Sequence, residues 1–128
     1  MTTEKLQKFL LLSTGFGLIP IALSYGVMPE KALTPFYGFA VDHPNLTHIL
    51  RAVMGLYLAQ ALFWIGGAMK AELRKPALYG LVFFMFGVAA GRLLSLLVDG
   101  VSHWLLIVFF ALEVLLGSAG WFLLRREE

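Results

Sequence analysis

The chain has 128 residues, 59% of them hydrophobic and 14% charged, with a mean hydropathy of +0.81. That is too apolar for a water-soluble domain of this length and places the chain in lipid. It contains no cysteine, which excludes disulfides, thiolate metal sites and cysteine nucleophiles. The net charge is +2, but Lys5, Lys8, Lys70, Arg74, Lys75, Arg125 and Arg126 all flank apolar runs. The basic excess therefore reports membrane topology, and no nucleic-acid partner is expected.

Leu6 to Met28 reads as the first spanning helix, with Lys5 and Lys8 at its start and a bend expected near Pro20. A signal peptide is the competing reading. The run is long for one, however, and Ala22-Leu23-Ser24 is a poor cleavage site. Pro29 to His43 follows as a connector whose aromatics, Phe36, Tyr37 and Phe39, suit the headgroup layer. One turn of interfacial helix starting at Pro29 fits it, with an ordinary loop or a lid as the alternatives.

The second spanning helix is expected over Pro44–Met69, capped by Asp42 or His43. It opens on a polar string containing Asn45, His48 and Arg51. At about 100° per residue, His48, Arg51, Gly55, Ala59 and Leu62 share a stripe, which predicts a close-packed inner face. Lys70 to Lys75 reads as a short basic loop, and Pro76 opens the third helix, Pro76–Val98. That helix carries Gly87-Val88-Ala89-Ala90-Gly91, a small-xxx-small motif whose ordinary meaning is helix packing, followed by Arg92, Ser95 and Asp99 on one face. The fourth helix is expected over His103–Leu124, with Glu113 near its middle. No internal repeat is evident, so the expectation is a single all-α domain: a four-helix bundle integral to the membrane.

The amino terminus, the loop between the second and third helices and the carboxyl terminus hold nearly all the Lys and Arg outside the spans. Both termini are therefore expected in the cytoplasm of a multi-pass membrane protein. Counting about 1.5 Å per residue, Arg51 and Arg92 lie roughly 10 Å, and Glu113 roughly 15 Å, below the extracytoplasmic ends of their helices. Three charges thus converge on one layer of the outer half. Ionisable groups at that depth are costly and are functional candidates by default, with ion pairing that merely holds the bundle together as the plain alternative.

Three stretches carry a resemblance: Ser24-Tyr25-Gly26, the string from Asn45 through His48, Arg51 and Gly55 to Tyr57, and Gly91-Arg92-Leu93-Leu94-Ser95. Over essentially its whole length the chain resembles a family of small bacterial four-helix membrane proteins that carries only a domain-of-unknown-function label. The resemblance implies roles for Asn45, His48, Arg51, Gly55, Tyr57, Arg92 and Ser95, and a place in a bacterial inner membrane. A more distant likeness, in architecture alone, is to DoxX-like membrane proteins, some of them linked to quinone-dependent redox systems.

The candidate ligand-binding set is Asn45, His48, Arg51, Tyr57, Arg92, Ser95, Asp99 and Glu113. It suits an amphiphile with an anionic or carbonyl head, such as a lipid, isoprenoid or quinone, held by the two arginines. The alternatives are a small proton-coupled transporter that titrates Glu113 and works as a homodimer, or an assembly subunit of a larger membrane complex. Metal and haem readings score lower, because no His pair has the spacing of a known site.

Overall fold

The computed structural model describes residues 2–126. Five helices follow one another: α1 (Thr3–Gly26), α2 (Pro29–Tyr37), α3 (Pro44–Met69), α4 (Ala71–Val98) and α5 (Trp104–Arg126). All but α2 are long and apolar enough to cross a membrane, so the chain is an all-α, multi-pass membrane protein. Met1, Glu127 and Glu128 lie outside the described residues.

The helix starts follow from local chemistry. The Thr2 hydroxyl accepts from the Lys5 amide at 3.2 Å. The His43 and His103 Nδ1 atoms accept from the amides of Asn45 and Leu105, each at 3.1 Å. Each of these caps satisfies a donor that the first turn leaves orphaned. α2 is longer than one turn and ends at Gly38, whose φ of 77° is the left-handed conformation that suits a glycine C-cap. Leu33 and Pro29 are buried beneath it while Phe36 stays exposed.

The basic stretch after α3 is not a loop. Only Lys70 separates the two helices, and α4 begins at Ala71, so Pro76 lies inside the helix instead of opening it. Ala71 to Lys75 are good helix formers, and Glu72 sits in the first turn, where the helix dipole favours an acid. Pro76 removes only the bond that would reach back to Glu72. Arg74 consequently turns inward. It is 8% exposed and donates to the Ala68 carbonyl at 3.1 Å and to Glu4 at 3.2 Å.

α1 packs along α3, α3 along α4 and α4 along α5, while α1 and α5 meet over a much shorter length. The core is concentrated at the end that holds both termini, around Leu11, Trp64, Leu78 and Leu81, all fully enclosed. In lipid the drive for such association is close van der Waals packing, since the surrounding chains are as apolar as the core itself. Gly67 is one point of closest approach, because a Cβ there would collide with that of Ala77.

The small-residue stripe on α3 proves to be the outer face. His48, Arg51, Gly55, Ala59 and Leu62 are all exposed, and Tyr57, Ala61, Trp64 and Ala68 turn inward. The α4 motif behaves in the same way: a Cβ on Gly87 or Gly91 would meet nothing within 4 Å.

Candidate functional site: a cavity between α1 and α5

Where α1 and α5 part, they leave a cavity of about 310 Å³. Its floor is set by Gly120, near which Leu10, Leu81 and Val82 close the bundle. Above that level α1 contributes Ser13, Thr14 and Gly17, α3 Tyr57, α4 Phe84 and Arg92, and α5 Phe109, Leu112 and Glu113. The buried residues of α5 are confined to Gly117 and beyond. Above Gly117 the gap between α1 and α5 is therefore not closed by buried residues of α5.

Arg92 and Glu113 form the polar part of the wall. Arg92 Nε donates to the Glu113 carboxylate at 2.8 Å and 3.2 Å, and the two side chains are 20% and 13% exposed. The guanidinium lies over the Phe109 ring, 5.8 Å from its centroid, an arrangement that favours a cation over an aromatic face. Tyr25 is near enough to interact with the same guanidinium. Nη1 and Nη2 make no hydrogen bond to another described residue, and neither is sealed off. Arg92 thus holds its acid through one edge and keeps the flat two-nitrogen edge available.

Arg92 also borders a second, smaller cavity of about 70 Å³, with Ser95, Gly100 and Ser102, at the α4–α5 turn. The Ser95 hydroxyl there donates to Asp99 at 2.7 Å. A third space of about 200 Å³ lies under α2 and shares Ile21 and Phe109 with the main cavity. Tyr37 borders it and makes an edge contact with His103 at 5.4 Å between ring centroids. Burial, with Tyr25 nearby, raises the pKa of the Tyr37 phenol above its ordinary value, so it remains a neutral hydroxyl. Edge-to-face contacts run from Tyr25 to Tyr57, on to Phe84 and then to Trp64, at 5.7, 5.2 and 5.2 Å. They stiffen the wall formed by α1, α3 and α4.

The residues singled out in the sequence divide into separate places. Tyr57, Arg92 and Glu113 meet in the main cavity, with Ser95 and Asp99 just beyond Arg92. His48 and Arg51 do not join them. They line an open depression with Glu30, Asp42, His43 and Thr47, and Arg51 makes no hydrogen bond or ion pair among the described residues. Asn45 is exposed at the start of α3, where its backbone amide completes the cap. Arg51 and Arg92 therefore share no polar group: Arg51 falls on the outer side of α3, about 120° round the helix from Tyr57. Among the described residues, no group of three His, Asp or Glu side chains is placed to hold a metal ion.

The profile of DUF4345, a domain of unknown function, matches residues 6–124. The chain belongs to the DUF4345 family. Neither the curated proteins nor the solved structures provide a match. The matched DUF4345 region runs from α1 to α5 and contains every residue of the cavity. Two polar residues at or near it escaped the sequence reading. Thr14 lies with Ser13 and Gly15 in a short break of an otherwise apolar run, and Gln7, fully buried, donates to the Leu123 carbonyl at 3.2 Å across the α1–α5 contact. Both are uncharged, and a count of ionisable groups passes over them.

Proposed function

We propose that this DUF4345 protein binds a single-chain amphiphile in the cavity between α1 and α5, with Arg92 holding its head. The observation that carries this is the division of labour in the Arg92 guanidinium. Nε is committed to Glu113, while Nη1 and Nη2, with Tyr25 close by, make no hydrogen bond to a described residue and border an apolar cavity of about 310 Å³. Glu113 orients the arginine, and the open edge matches a carbonyl, carboxylate or phosphate oxygen.

The Arg92–Glu113 pair is formally neutral. A neutral carbonyl head, as in a quinone, an isoprenoid ketone or an acyl ester, leaves no charge uncompensated. An anionic head adds one in a low-dielectric site, where the penalty for an unpaired ion is several kcal/mol. With both termini in the cytoplasm, the cavity opens into the outer half of the bilayer, and α2 lies at the outer surface above it.

A long-chain ketone bearing a photoreactive diazirine near its tail tests this in vesicles. Label should concentrate on α1 and α5 around Gly17 and Leu112. Label spread evenly over the exposed faces of α3 and α4, at Leu62 and Phe83 for example, would instead mean bulk-lipid contact and contradict a site.

A further inference from the structure

Among the described residues, the hydroxyl of Thr14 is the one fully enclosed side-chain polar atom of the main cavity that has no hydrogen-bond partner. A threonine or serine inside a helix ordinarily bonds the carbonyl a turn before it. Its neighbour does so, with the Ser13 hydroxyl donating to the Phe9 carbonyl at 2.7 Å, and Ser24 bonds the Ile21 carbonyl at 2.6 Å. Thr14 is 7% exposed, lines the cavity, and its Oγ1 has no partner among the described residues. A buried hydroxyl in that state costs free energy unless something in the cavity satisfies it.

The height of Thr14 follows from the contact at Gly120. Leu10, Leu81, Val82 and Gly120 lie at one level. Counting along each helix, Thr14 stands about 6 Å above it and Glu113 about 10 Å above it. The Arg92 backbone is higher still, and its side chain reaches down to Glu113. The idle hydroxyl and the Arg92–Glu113 pair are therefore offset by roughly 5 Å along the bundle and project from different helices.

We infer that Thr14 is a second polar anchor of this cavity, and that the bound head group carries hydrogen-bonding oxygens at two opposite ends. This rests on the amphiphile binding proposed above and narrows its class. A ring oxygenated at opposite positions, or a short rigid hydroxy-carbonyl unit, satisfies Arg92 and Thr14 together, which a simple chain carbonyl does not. The threonine hydroxyl both donates and accepts, so it serves a carbonyl or a hydroxyl at that end.

Two probes differing by one atom decide the point: decyl phenyl ketone and decyl 4-hydroxyphenyl ketone, titrated calorimetrically into the full chain in one detergent. The wild type should bind the hydroxylated ketone about fivefold tighter, the effect of a single net hydrogen bond. Thr14→Val, nearly isosteric, should abolish that preference, and Thr14→Ser should restore most of it. Equal binding of the two ketones by the wild type, or a preference that survives in Thr14→Val, overturns the inference. If the ketones bind equally and Arg92→Lys weakens both, amphiphile binding stands and Thr14 has no part in it. If neither ketone binds, or Arg92→Lys changes nothing, amphiphile binding at Arg92 falls and the anchor with it.

Discussion

Arg92 reaches Glu113 through Nε alone, at 2.8 Å and 3.2 Å to the two carboxylate oxygens, across two helices otherwise joined by apolar packing. Both side chains are mostly enclosed, so removing one leaves the other charge buried and unmatched. Arg92→Met or Glu113→Met alone should cost about 3–5 kcal/mol, whereas making both replacements together should recover most of that loss. Unfolding of the two single variants and the double variant in one detergent measures the coupling. Additive losses would show that the two groups do not act as a pair.

Arg51 gives the opposite expectation. It is exposed and makes no ion pair among the described residues. Arg51→Gln should change stability by no more than about 0.5 kcal/mol and leave any retained amphiphile in place. Its melting temperature and lipid content, compared with those of the wild type, check both halves.

These two arginines also show what the sequence disclosed. The four spans, a cap at Asp42 or His43 before Pro44, and the common depth of Arg92 and Glu113 followed from run length, turn chemistry and depth counting. The facing of α3 did not. In water, a helix declares its inner side by contrast with a polar outer side. In lipid, both sides are apolar and the contrast disappears. The stripe through Arg51 and Gly55 therefore looked like an interior and is the outer surface. Arg74 was concealed for a different reason: a basic stretch between two spans reads as a loop unless one knows that the chain turns at Lys70 alone.

At the end that holds the termini, Arg74 ties the α3–α4 turn to α1. Its bond to the Ala68 carbonyl is enclosed, while its other partner, Glu4, is 61% exposed. Exposed ion pairs contribute little, so Glu4→Gln should cost less than about 1 kcal/mol. Arg74→Met should cost about 2 kcal/mol, because it strips the Ala68 carbonyl of a charged donor. Chemical denaturation of both variants tests the ranking; equal costs would mean that the exposed pair carries the interaction.

Glycines separate in the same manner. Gly67→Ala places a methyl against Ala77 and should destabilise by about 1–3 kcal/mol. Gly91→Ala meets nothing within 4 Å and removes a poor helix former, so it should be neutral or stabilising by up to about 1 kcal/mol. Thermal melts distinguish the two. Loss of stability in Gly91→Ala would mean that this face packs against something besides its own chain.

The most direct test of amphiphile binding compares what the wild type and Arg92→Lys retain on purification. Lysine keeps a positive charge beside Glu113 but lacks the flat two-nitrogen edge. The two proteins, purified in the same mild detergent, are weighed intact and their extracts identified by mass spectrometry. The wild type should hold a stoichiometric amount of one class of carbonyl-bearing amphiphile, and the folded Arg92→Lys protein should hold markedly less. Equal retention by both, or only the unselective lipid mixture of the membrane in the wild type, would contradict a site at Arg92.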